Sequence, residues 1–154
     1  MSTPIAESLL AGVPRDTGLE LFGQFVGSWT FEGSEIGPGG EQTPTGGRWD
    51  FGYVLGGLAI QDVLVYDGGD CGTTVRFPRG DGSWEIVWIS AAHQAVHLTA
   101  RPEGGRIVLT GGGDGRRVRW SFNDITARAF RWVGEELAAD GTFRLAEEMH
   151  LQRA

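Results

Sequence analysis

From residue 28 to the end, the chain alternates large apolar side chains with polar or charged ones, and glycine-containing turn signals break the alternation at intervals. A period of two places successive side chains on opposite faces of an extended strand. The alternating segments run over 28–35, 48–55, 58–66, 73–77, 84–90, 94–101, 106–110, 117–123, 130–134 and 143–153. Between them lie Gly37-Pro38-Gly39-Gly40, Gly46-Gly47, Gly56-Gly57, Asp67-Gly68-Gly69-Asp70, Asp81-Gly82, Gly104-Gly105, the run from Gly111 to Gly115, and Asp140-Gly141. Many short strands separated by turn signals every 8–12 residues or so are the mark of an all-β sandwich or barrel. No later segment has the length or period of a crossover helix, so the sheet is expected to be antiparallel.

One face of these strands is aromatic. Trp29 and Phe31 share a parity, as do Trp49, Phe51, Tyr53 and Leu55. Trp84, Ile86 and Trp88 form a third set, followed by Val118, Trp120 and Phe122, then by Phe130 and Trp132. On the last strand Phe143, Leu145, Met149 and Leu151 line up, while charged residues such as Arg117, Arg119, Arg131, Arg144 and Glu148 fill intervening positions. Closing such a sheet on itself hides the apolar face and removes the edges. The expected fold is therefore all-β: a closed up-and-down antiparallel barrel of about 8–10 strands, preferred over a two-sheet sandwich. Ahead of it, Leu19, Phe22 and Val26 fall at helical spacing after a candidate N-cap, Asp16, giving one short helix as a lid or plug. Residues 1–15, with Ser2, Thr3, Pro4 and Pro14, read as a flexible leader, and 16–154 as a single domain.

Composition narrows the chemistry. All 13 basic residues are arginine, so there is no lysine for a Schiff base, a phosphate-binding loop or acid–base catalysis. A formal charge of −7 argues against a nucleic-acid partner. A single cysteine, Cys71, makes no internal disulfide, and neither a signal peptide nor a membrane span is visible, so a cytoplasmic location is expected. No nucleotide-binding glycine motif, nucleophile elbow, His-Glu-x-x-His or Cys-x-x-Cys is present, and no cofactor is expected. His93 and His97 have a chelating spacing only on a helix. Along a strand they stand about 13 Å apart, so no metal site is expected.

Aromatic surface in a barrel mouth is what apolar pockets are made of. Candidate ligand-binding residues are accordingly Trp49, Phe51, Tyr53, Trp88, Trp120, Phe122, Trp132 and Met149, with Arg76 and His97 as polar candidates whose orientation the pattern leaves open. Glu147 and Asp62 share parity with apolar neighbours and are expected to face the lumen. A carboxylate there is either paired, with Arg76 as the candidate partner of Asp62, or raised in pKa and suited to proton transfer. Tyr53 is the candidate hydroxyl for orienting a ligand.

The stretch Phe25-Val26-Gly27-Ser28-Trp29 is similar to the Gly-x-Trp start of lipocalin-like (calycin-type) barrels. Tyr53–Asp62, Arg119–Ile125, Phe130-Arg131-Trp132 and Arg144–Met149 resemble a bacterial lipocalin-like group of unassigned function, so that the resemblance spans about 19–153. It implies a ligand-holding barrel and fixes no reaction. More distantly the chain resembles nitrobindin-like haem barrels, which imply a haem-ligating histidine on the closing strand. His150 lies in a similar place, but Phe31 replaces the second glycine of their motif, and His150 is out of phase with Met149 and Leu151. Two readings follow. One is a protein that binds an apolar or aromatic small molecule. The other is a cofactor-free cyclase or isomerase of bacterial biosynthesis, using Glu147, Asp62 and Tyr53. A homodimer through the outer faces is left open.

Overall fold

The computed structural model describes residues 4–15 and 17–154. Helix α1 (Pro4–Ala11) is followed by a 3-10 turn (Thr17–Leu19) and helix α2 (Glu20–Gly23). Ten strands complete the chain: β1 (Gly27–Ile36), β2 (Gln42–Val54), β3 (Ala59–Tyr66), β4 (Cys71–Pro78), β5 (Trp84–Ser90), β6 (Ala95–Glu103), β7 (Arg106–Gly113), β8 (Arg116–Asn123), β9 (Ala129–Leu137) and β10 (Phe143–Arg153). Each pairs antiparallel with its neighbour in sequence, and β10 returns to pair with β1, closing the barrel. The all-β, up-and-down architecture and the short N-terminal helix are as expected. Among the described residues no helix is long and apolar enough to cross a membrane.

Strand β7 extends through Gly111–Gly113, where a turn is expected from the glycines. A Cβ on Gly111 would lie 1.9 Å from the His97 carbonyl oxygen, so glycine is needed there for close backbone approach inside a strand. The reversal itself falls at Asp114-Gly115, both with positive φ, as a tight antiparallel hairpin requires.

The inward parity is buried as expected for Trp29, Phe31, Trp49, Phe51, Trp84, Ile86 and Phe122. Leu55 departs from it, standing 69% exposed in the β2–β3 turn with φ 54°. Phe143 and Leu145 also depart. The β10–β9 register slips between Leu145 and Glu147, so one extra residue, Ala146, reverses the parity of everything before it. Leu145 is consequently exposed, Phe143 lies under the Arg119 guanidinium, and Arg144 turns to the barrel mouth to pair with Glu136.

One end of the barrel is sealed from within. Leu19, Phe22 and Phe25 are all buried, with Phe22 edge-on to Trp84 and Phe122, and Phe25 packed on Phe51, Phe122 and Phe130. The Gly-x-Trp start locks this plug. Trp29 Nε1 donates to the Phe25 carbonyl at 2.7 Å, and Arg153 stacks on Trp29 while donating to the carbonyls of Val26 and Gln24. Gly27, at φ 126°, leaves room for that guanidinium.

Helix α1 lies where an irregular leader is expected. It docks on the outer face of β2, where Gly52 lets the Leu9 backbone approach so closely that a Cβ would collide with it. Leu9 is buried there. The missing side chain at Gly52 creates the seat, and no periodic pattern announces it. Asp16, expected as an N-cap, and Ser2 and Thr3 of the leader lie outside the described residues.

Candidate functional site

Above the plug the lumen is not filled. A cavity of about 170 Å³ occupies the open half of the barrel, and four of the six tryptophans line it: Trp49, Trp88, Trp120 and Trp132. They touch one another at the walls, with Trp49 edge-on to Trp132, Trp120 tilted on Trp132 and Trp88 edge-on to Trp120. Glycines on the same inner face let the rings lie flat. A Cβ on Gly72 would come within 2.0 Å of the Trp88 ring, and one on Gly134 within 2.6 Å of the Trp132 ring. Leu64, Leu109, Val118, Phe122 and Met149 complete the apolar wall.

The floor is polar. Arg76, only 2% exposed, lines the cavity and forms a buried ion pair with Asp62 through Nη1. Asp62 also accepts the Thr74 backbone N–H at 3.1 Å, and the Trp49 indole N–H is directed at the same carboxyl without closing a hydrogen bond. Burial pushes the Asp62 carboxyl up, and the Arg76 guanidinium opposes this. The two opposite charges compensate each other inside the barrel. It also sits 5.1–5.8 Å from the ring centres of Phe22, Phe51 and Phe122.

At the mouth the bulge on β10 brings both Ala146 and Glu147 to the cavity. Glu147 accepts a 2.7 Å hydrogen bond from the Tyr66 hydroxyl. Its pKa is pushed up to about 7, first by burial; the Tyr66 hydrogen bond opposes this, while the nearby carboxylates of Glu35 and Asp70 add to it. The same burial and the Glu147 charge push the Tyr66 hydroxyl up. Around the rim, Glu136 pairs with Arg116 at 3.1 Å and with Arg144 at 3.2 Å.

The structure therefore brings Trp49, Trp88, Trp120, Phe122, Trp132, Met149, Arg76 and Glu147 to one cavity. It does not bring the rest. Asp62 lies behind Arg76, wholly buried and spent on the ion pair. Phe51 is wholly buried against the plug at the sealed end. Tyr53 is at that end too, its hydroxyl beside Gly23, so it cannot act with Glu147. His97 is exposed on the outer wall, since its parity is opposite to that of the buried Val96 and Leu98. The residue missed at the mouth is Tyr66, although it shares parity with Leu64. Arg116 and Glu136 share parity with Trp120 and Trp132 and could have been found in the same way.

The haem implied by the more distant resemblance does not fit. His150 points outward, its side chain 66% exposed and its Nε2 3.3 Å from a Glu148 carboxylate oxygen. His93 and His97 are exposed as well. Among the described residues no group of three or more His, Cys, Asp or Glu could hold a metal ion.

No protein-family model and no curated protein matches the chain. Among solved structures, the S-type phycobiliprotein lyase CpeS from Guillardia theta is similar over 91% of this chain and 94% of its own, with a TM-score of 0.66 and 15% identity. Rv2717c from M. tuberculosis is similar over 90% of this chain and 98% of its own, with a TM-score of 0.67 and 15% identity. At that identity the likeness is one of fold: a lipocalin-like barrel over nearly the whole chain.

Proposed function

We propose that this protein binds a compact aromatic small molecule in the open half of its barrel. The observation that carries the reading is the group of four tryptophans around unfilled space. The indoles touch one another along the wall and leave the space in front of them free, with glycines behind Trp88 and Trp132. The volume sets the size of the guest. A dry engineered cavity of about 150 Å³ takes up benzene, whereas drug-sized ligands occupy roughly 300–1,000 Å³. A space of about 170 Å³ suits one ring or a small fused pair. A phycobiliprotein lyase on the same fold makes the fold compatible with handling a small molecule.

Calorimetric titration with ethylbenzene tests the reading. Binding with a Kd below about 1 mM, or roughly −4.1 kcal/mol, is expected. Replacing Ala146 by leucine, which fills the mouth of the cavity, is expected to weaken it at least tenfold. Absence of binding at probe saturation would overturn the proposal. Native mass measurement of freshly purified protein would show any guest that copurifies.

A second reading, acid–base turnover of the guest, is favoured by Glu147. A carboxyl titrating near pH 7 at a cavity mouth, hydrogen-bonded to a tyrosine, is suited to taking and returning a proton. Exchange of the methyl protons of acetophenone in D2O, faster than buffer and lost in Glu147→Gln with affinity kept within tenfold, would support it.

A further inference from the structure

We infer that the guest carries a neutral acceptor oxygen, a carbonyl attached to the aromatic ring, which docks on Arg76 at the cavity floor. This rests on the proposed binding in the lumen and adds the chemical class. Arg76 is nearly wholly buried, yet its protein partners use only part of its donor fork. Nη1 faces Asp62, whereas the buried Nε has no hydrogen-bond acceptor. A guanidinium presents five N–H donors in a rigid fork, and buried donors are normally satisfied. On the plug side it lies over the rings of Phe22 and Phe51, whose faces attract the charge but offer no lone pair to an N–H. Its remaining polar outlet is the cavity it lines.

Charge decides which acceptor fits. Asp62 already balances Arg76, so a carboxylate guest would set two anions against one cation at a buried floor. An ammonium guest would meet Arg76 as a like charge with no second carboxylate at the floor. A neutral carbonyl accepts from the part of the fork that lines the cavity and leaves the charge balance intact. The tryptophans hold the ring above it, and Thr74, also on the floor, is the only other inward side-chain hydroxyl below Tyr66 among the cavity residues.

Four probes of matched size separate the cases: acetophenone, ethylbenzene, benzoate and benzylamine, titrated into the intact protein by calorimetry. Acetophenone is expected to bind at least tenfold more tightly than ethylbenzene, with benzoate and benzylamine weaker than acetophenone. In Arg76→Lys, which keeps a cation beside Asp62 but removes the planar fork, the preference for acetophenone over ethylbenzene is expected to fall below about threefold. Should that variant not fold, the ranking in the natural protein still decides. Ethylbenzene binding as tightly as acetophenone would overturn the inference while leaving lumen binding standing, and so would benzoate binding tightest. Failure of all four to bind would overturn both.

Discussion

The two halves of the barrel interior are built from the same inward-facing aromatic positions and reach opposite outcomes. At the sealed end, phenylalanines from the strands meet Phe22 and Phe25 from the plug, and the rings interlock at centroid distances of 4.8–5.8 Å. At the open end no plug descends among the described residues. Tryptophans lie along the wall over Gly72 and Gly134, and about 170 Å³ is left free above Arg76. Aromatic parity thus tells which side chains are inside, and the partner arriving from outside the strand pattern decides whether the inside is solid.

Truncation on each side of the Arg76 layer should expose this difference most strongly. Phe22→Ala removes a wholly buried ring from close packing and is expected to cost about 3–5 kcal/mol by urea denaturation. Trp88→Ala removes a larger side chain from a wall that already borders empty space, and less than about 2 kcal/mol is expected. Equal losses would mean that the open half is packed like the sealed one. At the boundary, Asp62→Ala strands Arg76 as a buried, uncompensated charge, and about 3–5 kcal/mol should be lost.

A smaller effect is expected at Gly72. A methyl group there would collide with the Trp88 ring, and about 1–3 kcal/mol is the usual cost of such overpacking. The ring has the cavity to move into, so Gly72→Ala should weaken ethylbenzene binding more than it lowers the melting temperature. Loss of stability with full binding would contradict the role given to that glycine.

The smallest expected effect is at the mouth. Glu147 titrates near 7 in the folded protein against an ordinary value of 4.5, because burial disfavours its charge. The folded state therefore holds the proton more tightly, and this contribution to stability is present below pH 4.5 and lost as the pH rises to about 7. Over that window the natural protein should lose on the order of 1–2 kcal/mol relative to Glu147→Gln, after allowance for partial exposure to solvent. Parallel pH profiles for the two proteins would remove Glu147 from the buried wall.

The sequence made the strand number, the closure and most of the cavity wall legible, because parity survives in an antiparallel barrel. It also placed Glu147 inside, but through a pattern that is interrupted. Leu145, offered as its in-phase neighbour, is outside, and the bulge at Ala146 restores the inward direction only afterwards. A one-residue insertion in a register leaves no trace in hydrophobic alternation. Tyr53 and Tyr66 illustrate a different gap: both share parity with apolar neighbours, yet one lies beside the plug and the other at the mouth. Parity fixes the face of a strand, whereas depth along the barrel depends on where the helices seat, and α2 spans only Glu20–Gly23.

If the guest enters one half of the barrel and is excluded from the other, the six indole N–H groups report on both. Titrating ethylbenzene into nitrogen-15-labelled protein should shift the side-chain signals of Trp49, Trp88, Trp120 and Trp132 while leaving those of Trp29 and Trp84, at the sealed end, in place. Shifts spread evenly over all six, or confined to Trp29 and Trp84, would contradict it.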